Sequence, residues 1–194
     1  MLIIPDTNIV FIHIPKTAGQ SVRDAFGMKL DGRGAHSIAS ERDIEYIAGD
    51  YIRFCVVRDP VARFQSAYAY NVALYDRNPT GIREYMRANG LNEDINAFVR
   101  HFMDKGSELV TSSDHFRQQM YYLRRTHPHI ILRQERLDDH IEIIRALAPK
   151  QWKGLKTRNA ASERGAEPFN KELEPECESF VRKTYAPDFK FLGY

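Results

Sequence analysis

Short apolar runs along the chain predict buried β-strands. The residues Ile9–Ile14, Tyr51–Val57 and Ile130–Arg133 form these runs, and most of their members are apolar, with many β-branched or aromatic side chains. A strand that is buried on one face alternates between apolar and polar residues, whereas a continuous run is typical of a parallel strand covered on both faces. The pattern therefore predicts a central, mainly parallel sheet.

Between and after these runs, apolar residues recur at the spacing of a helix that packs one face against a core. The stripes are Val22, Ala25 and Phe26; Ile95, Phe98, Val99 and Phe102; Leu137, Ile141, Ile144 and Leu147; and Cys177, Phe180 and Val181. The polar stretches 82–94 and 106–114 lack such a stripe and are predicted to be irregular. Strands that alternate with helices predict an α/β fold with helices flanking the sheet. We expect residues 1–194 to form a single domain, because no repeat or linker interrupts the pattern.

The first predicted strand ends in a polar turn that leads into the first helix. Pro15 ends the strand because it has no N–H for the ladder, and Lys16–Ser21 follow in the order Lys-Thr-Ala-Gly-Gln-Ser. A strand, a tight turn and a helix N-terminus bring several backbone N–H groups to one point, which favours an anion. Gly19 permits close backbone approach, and Lys16 adds a positive charge. The turn differs from the nucleotide-kinase loop, in which a glycine comes first and the lysine near the end.

A second polar turn follows the second predicted strand. Arg58 stands at the carboxyl end of that strand, where open α/β sheets bind ligands, and a guanidinium matches a phosphate as a fork. Asp59 is a favourable N-cap and Pro60 a favourable first helical residue, so a helix that carries Ser66 is predicted to start here. Adjacent parallel strands present their carboxyl ends at one edge of a sheet, and we expect both turns to lie at that edge.

Composition and charge exclude several classes of function. The 194 residues are 43% hydrophobic and 28% charged, as expected of a globular domain with a core. A formal net charge of +2 is too small to indicate nucleic-acid binding. No apolar run approaches the roughly 20 residues that span a bilayer, and we expect no signal peptide at the N-terminus.

Cysteine and histidine usage gives two further expectations. Cys55 and Cys177 lie far apart in the sequence, and Cys55 falls in a predicted strand, so we expect an inert core thiol and a reducing, cytoplasmic location. His127 and His129 have no further ligands at metal-binding spacing, and no metal site is predicted there.

The two polar turns resemble the donor-binding motifs of the sulfotransferases. The string Phe11–Ser21 is similar to their 5′-phosphosulfate loop, particularly in the carbohydrate sulfotransferase branch, and Arg58–Tyr68 is similar to their 3′-phosphate motif. The resemblance implies a P-loop-like three-layer sandwich and 3′-phosphoadenosine 5′-phosphosulfate (PAPS) as the donor. It also implies that the donor is bound by Lys16, Thr17, Ala18, Gly19, Gln20 and Ser21 at its sulfate end and by Arg58 and Ser66 at its 3′-phosphate.

The resemblance extends over nearly the whole chain with lower specificity. Gln20 stands where the usual family string has threonine, which changes one side-chain contact. The segment His115–Leu123 resembles a stretch that we expect to form a wall of the donor or acceptor site, and Tyr185–Tyr194 resembles the C-terminal signature. In a late basic stretch, Arg158 and Asn159 are candidates for closing over the nucleotide.

Sulfuryl transfer resembles phosphoryl transfer, so the protein must hold donor and acceptor in line and neutralise growing charge. Lys16 is expected to neutralise the leaving phosphate oxygen, and this mechanism requires no metal. The attacking hydroxyl needs a general base, and histidine has a suitable reference pKa of about 6.5. The resemblance implies His36 as that base; His115 is an alternative, and His13 is expected in the core. We expect the acceptor to be a carbohydrate or glycolipid hydroxyl.

Two other functions fit some of the same residues. A small-molecule kinase needs a Mg²⁺-binding hydroxyl directly after the loop lysine and an acidic ligand after the second strand, which Thr17 and Asp59 could supply. A catalytically silent module would bind the bisphosphate nucleotide and transfer nothing. The presence of both Lys16 and His36 argues against the silent module.

Overall fold

The fold was obtained as a computed structural model, which describes residues 1–29, 45, 47–74, 81–156 and 172–194. Contacts between residues divide the chain into two compact units. The sheet unit comprises the described residues within 1–58 and 119–158, and the helical unit comprises those within 59–118 and 159–194. Each unit has a hydrophobic core of its own.

Strands and helices cover most of the described chain. The strands are β1 (Leu2–Ile3), β2 (Ile9–Ile12), β3 (Ile52–Val57) and β4 (Ile130–Arg133). The described helices are α1 (Gly19–Ala25), α2 (Pro60–Ala73), α3 (Ile82–Ala88), α4 (Ile95–Lys105), α5 (Glu108–Ser112), α6 (Gln119–Thr126), α7 (Leu137–His140), α8 (Glu142–Leu147), α9 (Pro175–Thr184) and α10 (Ala186–Leu192). Short 3₁₀ turns at Gln134–Arg136 and Pro149–Gln151 flank α7 and α8.

The described strands form one sheet in the order β1-β2-β3-β4. β1 is antiparallel to β2, whereas β2–β3 and β3–β4 are parallel, with Ile12 opposite Cys55 and Val57 opposite Arg133. The three predicted strands and the parallel α/β sheet are confirmed. β1 was not predicted, because two residues give no periodic signal. β2 is shorter than predicted because Ile14 N–H donates to Ile12 O at 3.1 Å and turns the chain out of the ladder.

Both faces of the central strands are buried, which explains their continuous apolar pattern. Every residue of β2 and all but the first of β3 are buried. On one face, Phe11, Phe54 and Val56 pack in one cluster with Val22 of α1 and Ile144 of α8. The rings of Phe11 and Phe54 lie 5.0 Å apart. Burial of each such side chain stabilises the fold by about 1.5–3 kcal/mol.

The third predicted helical stripe is divided between two helices. α7 ends at His140 and α8 begins at Glu142. Ile144 is fully buried, but 46% of Leu147 is exposed, and the neighbouring Ala148 is buried instead. The expectation that Leu147 packs in the core is therefore wrong, because Ala148 and not Leu147 continues the spacing of four and three residues that places the buried side chains on one helical face.

The helical unit packs α2, α4 and α9 around an aromatic core. α9 contacts both α2 and α4, and the rings of Phe64, Phe98 and Phe116 lie 5.4 to 6.1 Å from one another. The stripe predicted along α4 is confirmed, since its four apolar residues are all buried. Asp59 is the N-cap of α2, as predicted: its carboxylate accepts from Ala62 N–H at 2.8 Å.

Two stretches that the sequence predicts to be irregular contain helices. α3 lies within 82–94 and α5 within 106–114. Met86 of α3 and Val110 of α5 are buried in the aromatic core. One apolar anchor per helix gives little periodicity, and packing on the core supplies most of the stability of such short helices. A further helix, α10, follows the last of the predicted helical stripes.

Side chains of α4 fix the start of α9. The Asn96 amide donates to Glu172 O at 3.0 Å and accepts from Glu174 N–H at 2.9 Å. Arg100 forms ion pairs with Glu174 and, at 3.0 Å, with Glu176. These contacts satisfy backbone groups ahead of the first turn of α9 and set its position on α4.

Both cysteines are buried thiols. Burial raises the pKa of Cys55 and of Cys177 above the ordinary value for a thiol. Both side chains therefore stay protonated near neutral pH, where a thiol is a poor nucleophile. The expectation that Cys55 is a core thiol is confirmed.

Tyr185 provides a test of the helical core at alkaline pH. Its hydroxyl donates to Phe116 O, and burial raises the pKa of the phenol. As pH rises through about 10, the unfolded chain loses this proton first, so stability falls by up to about 1.4 kcal/mol per pH unit. We expect Tyr185→Phe to lower the free energy of unfolding by about 1 kcal/mol at pH 7 through the lost hydrogen bond. We also expect the stability of this variant to fall less steeply above about pH 10. Urea unfolding between about pH 7 and 11 measures both effects.

Tyr68→Phe is the matched variant for this experiment. Burial also raises the pKa of Tyr68, and its hydroxyl donates to Leu91 O at 3.2 Å. Each variant should lose less stability than the wild type as pH rises above about 10, and the double variant should lose less than either single variant. A Tyr185→Phe protein with the wild-type dependence on pH above about 10 would contradict the linkage argument.

Candidate functional site

The carboxyl ends of β2 and β3 lie side by side at one edge of the sheet. The two strands are parallel neighbours, and each leads into one of the polar turns. Nη1 of Arg58 donates to the carbonyl oxygen of Lys16 at 3.4 Å, and both side chains are half-buried. The structure therefore brings Lys16 and Arg58 together, as the pairing of adjacent parallel strands requires. Two basic residues at one edge favour an anionic ligand.

The backbone of the first turn is held in an unusual conformation. Lys16 and Ala18 have φ angles of 68° and 62°, which non-glycine residues rarely adopt. Each such residue costs on the order of 1–3 kcal/mol, and residues of this kind cluster at ligand-binding sites. Turns that mix left-handed and ordinary conformations form concave arrays of N–H groups that bind anions. Ala18 is also the N-cap of α1 and gives that helix no side-chain cap.

Gly19 is required by the close approach of a histidine ring. A Cβ atom at Gly19 would lie 1.9 Å from Nε2 of His13. The imidazole also stacks on Phe11, with the ring centroids 5.6 Å apart. His13 is half-buried rather than fully in the core as expected, because its ring packs beneath the turn at the start of α1. The ring thereby supports the turn from the side of the sheet.

Several side chains of the turn are engaged within the turn itself. The buried Thr17 hydroxyl donates to Ile14 O at 2.9 Å. The Gln20 amide donates to Asp24 at 2.9 Å and accepts from Arg23 at 2.9 Å, all on the surface of α1. Ser21 is buried, with 7% of its surface exposed. Thr17 and Gln20 can therefore offer a ligand their backbone N–H groups more readily than their side-chain donors.

The main chain of Arg58 is held by a buried amide. Arg58 N–H donates to Oε1 of Gln119 at 2.9 Å, and Nε2 of Gln119 donates to Arg58 O at 2.8 Å. Gln119 is fully buried at the first position of α6. The family resemblance implies that the segment around Gln119 is a wall of the donor or acceptor site. It does not indicate this role, because the partner lies 61 residues away.

The helix that follows Arg58 belongs to the helical unit. Ser66 is half-buried on α2. Arg63, three residues earlier, is fully buried and donates to His115 O at 3.2 Å and to Arg117 O. Its guanidinium also lies 5.9 Å from the centre of the Tyr185 ring. Arg63 thus stabilises the core of this unit, and its neighbour Ser66 is the candidate for ligand binding on α2.

The helical unit contains an open pocket of about 430 Å³. Its lining includes Asn71, Arg83, Tyr85, Ser112, Asp114 and His115. Asn71 is buried, and its side-chain oxygen accepts no hydrogen bond from the described residues. The ring of His115 lies 4.6 Å from that of Tyr70, and the Tyr85 hydroxyl is 2.7 Å from Nε2 of His101. The pocket is thus bordered by polar groups and aromatic rings.

The remaining candidates fall into two groups. His36, Arg158 and Asn159 lie outside the described residues. Nδ1 of His129 accepts from Arg53 N–H at 3.0 Å, which gives this histidine a structural role beside the sheet. Among the residues that the structure describes, no group of three or more histidine, cysteine or acidic side chains could hold a metal ion.

Comparison with known proteins places these features in one family. A model of the sulfotransferase family matches residues 1–194 and therefore includes both polar turns and both units. No curated protein and no solved structure gives a significant match. In the described part of the chain, no helix has the length and apolar character needed to cross a membrane. The family's P-loop-like fold agrees with the parallel strands and their polar turns. The chain belongs to the sulfotransferase family and is a sulfuryl-transferring enzyme.

Proposed function

We propose that the enzyme transfers the sulfuryl group of PAPS to an acceptor hydroxyl and holds PAPS where β2 and β3 end. Sulfotransferases of this family generally use PAPS as donor. The observation that carries the assignment is the contact of Arg58 Nη1 with Lys16 O at 3.4 Å, which joins the two turns. PAPS has anionic groups at its 3′ and 5′ positions, and two basic residues on neighbouring turns suit that distribution of charge.

In this proposal, the turn Lys16–Ser21 surrounds the 5′-phosphosulfate, and Arg58 and Ser66 bind the 3′-phosphate. The left-handed residues of the turn support the first part, because such turns direct N–H groups toward an anion. The half-buried guanidinium beside the turn supports the role of Arg58. The role of Ser66 rests on the family motif, in which it stands eight positions after Arg58.

The chemistry assigned to the site is an in-line displacement at sulfur. The acceptor oxygen forms a bond to sulfur while the bond from sulfur to the bridging phosphate oxygen breaks, and adenosine 3′,5′-bisphosphate leaves. Lys16 neutralises the charge that grows on the leaving oxygen, which is the role of a metal ion in kinases. The acceptor's proton passes to a general base, for which we propose His36 on the family resemblance.

We propose the open pocket of the helical unit as the acceptor-binding region, with a carbohydrate or glycolipid hydroxyl as acceptor. Ligand sites of this size combine aromatic walls with a few polar groups that fix orientation. The amide of Asn71, the Asp114 carboxylate and the Tyr85 ring supply both kinds of group. The hydroxyl groups of a sugar ring donate and accept hydrogen bonds, which suits a lining that includes the Ser112 hydroxyl and the Asp114 carboxylate.

The two units act together in this proposal. One family model spans residues 1–194, which supports a single sulfotransferase domain built from the sheet unit and the helical unit. The cytoplasmic location expected from the cysteines stays a prediction.

Contacts of two residues argue against the kinase alternative. The Thr17 hydroxyl, which would hold Mg²⁺, is buried and donates to Ile14 O. The Asp59 carboxylate, which would supply the acidic ligand, caps α2 by accepting from Ala62 N–H. Both groups therefore serve the local fold.

A comparison of two nucleotides tests the donor class. We expect adenosine 3′,5′-bisphosphate to raise the unfolding temperature, because a ligand at a hundredfold excess over its Kd adds about 2.7 kcal/mol of stability. ATP with Mg²⁺ should have a much smaller effect. A thermal-shift assay measures both, and a larger shift with ATP and Mg²⁺ would favour a kinase.

Removal of either basic side chain should weaken product binding. We expect Lys16→Ala and Arg58→Ala each to lower the affinity for adenosine 3′,5′-bisphosphate by about 10- to 100-fold, because each loses a charge-assisted contact with phosphate. Isothermal titration calorimetry measures the change. Arg136→Ala is the control, since this arginine is 65% exposed and paired with Asp139. Wild-type affinity in both Lys16 and Arg58 variants would reject the donor site.

Loss of the proposed base should separate binding from turnover. We expect His36→Ala to reduce kcat by about 10²- to 10⁴-fold, the usual contribution of a general base, while binding of the bisphosphate is retained. His115→Ala is the matched variant for the alternative base. Transfer from labelled PAPS to a panel of glycan, lipid and phenol acceptors measures turnover. A His36→Ala enzyme with near-normal turnover would contradict this role.

A further inference from the structure

We infer that Gln119 is a positioning residue for Arg58: its buried amide fixes the main chain of Arg58 and thereby aims the guanidinium at the 3′-phosphate of the donor. The inference rests on the proposed function, which gives Arg58 that ligand. It gives a specific role to Gln119, whereas the family resemblance marks only the surrounding segment, His115–Leu123, as a wall of the site.

The two hydrogen bonds of Gln119 take the place of β4 as the partner of the Arg58 main chain. The ladder between β3 and β4 ends at the pair Val57 and Arg133, so Arg58 lies one residue beyond it. The Gln119 side chain accepts from Arg58 N–H at 2.9 Å and donates to Arg58 O at 2.8 Å. A glutamine amide offers the same donor and acceptor as a peptide group. The amide thus extends the hydrogen bonding of β3 by one residue.

The direction of the Arg58 side chain depends on this extension. The Cα–Cβ bond is set by the main chain, and beyond the end of a ladder the main chain is no longer fixed by strand pairing. With Gln119 in place, the guanidinium lies against Lys16 O at 3.4 Å, beside the first polar turn. A planar guanidinium binds phosphate through two parallel hydrogen bonds, which makes its affinity sensitive to small changes in orientation.

Glutamine is the residue type that this position requires. The substitution Gln119→Glu keeps an acceptor for Arg58 N–H but removes the donor for Arg58 O. The substitution Gln119→Met keeps the approximate volume and removes both bonds, which leaves two backbone groups of Arg58 without these partners. The two variants therefore separate the loss of one bond from the loss of both.

The experiment compares adenosine 3′,5′-bisphosphate with adenosine 5′-phosphate, which lacks the 3′-phosphate. We measure both Kd values by calorimetry. The Kd for adenosine 5′-phosphate divided by the Kd for adenosine 3′,5′-bisphosphate is the affinity gained from the 3′-phosphate, and this is the ratio compared between variants. Gln119→Met should lower this ratio by about tenfold, and Gln119→Glu by less, while the Kd for adenosine 5′-phosphate stays close to wild type. If Gln119 had a purely structural role, its substitution would lower the affinity for both nucleotides by the same factor.

Gln118→Met is the matched control. Its side-chain amide also donates to a backbone carbonyl, that of Thr184 at 2.8 Å, but this contact lies in the helical unit. The control should keep the wild-type ratio. In an Arg58→Met background, where the guanidinium is absent, Gln119→Met should have no further effect on the ratio.

The outcomes distinguish the inference from the proposed function. A wild-type ratio in Gln119→Met, or equal weakening of both nucleotides, would overturn the positioning role and leave the donor site intact. A wild-type enzyme that binds both nucleotides equally would overturn the role of Arg58 itself, and the inference with it. If Gln119→Met does not fold, Gln119→Glu decides by the same ratio, and an unchanged ratio in that variant counts against the inference.

Discussion

The parallel pairing of β2 with β3 is the constraint on which the rest of the site depends. Parallel neighbours end at the same edge of a sheet, and their carboxyl ends therefore deliver two polar turns to one place. The contact of Arg58 with Lys16 O, across 42 residues of sequence, follows from that pairing. Burial of both faces of these strands keeps the register fixed, because a shift by one residue would turn every side chain to the opposite face and disrupt the close packing on both.

Around that edge, buried polar groups hold the backbone in place. Thr17 bonds to Ile14 O within the first turn, and Gln119 bonds to both backbone groups of Arg58 after the second strand. Left-handed residues in the first turn cost conformational energy that these contacts and the packed ring of His13 offset. A site prepared in this way loses little binding energy to ordering itself around an anion.

In the helical unit, too, buried polar side chains hold the backbone in place. This unit has an aromatic core of its own, and the buried polar side chains of Arg63 and Asn96 donate hydrogen bonds to carbonyl groups of distant segments. Arg63 shows how a basic residue near a proposed ligand site can be wholly structural. The same unit carries the polar pocket to which the proposed function assigns the acceptor.

The sequence by itself determined the elements whose signals are local: three strands, the capped start of α2 and the stripe along α4. It also placed both basic turns, since the order of strand, turn and helix is encoded in adjacent residues. Tertiary structure alone decided the rest. α3 and α5 exist because Met86 and Val110 find a core to pack against. Gln119 meets Arg58 across 61 residues, and a hydrogen bond between distant residues leaves no periodic mark on the sequence that encodes it.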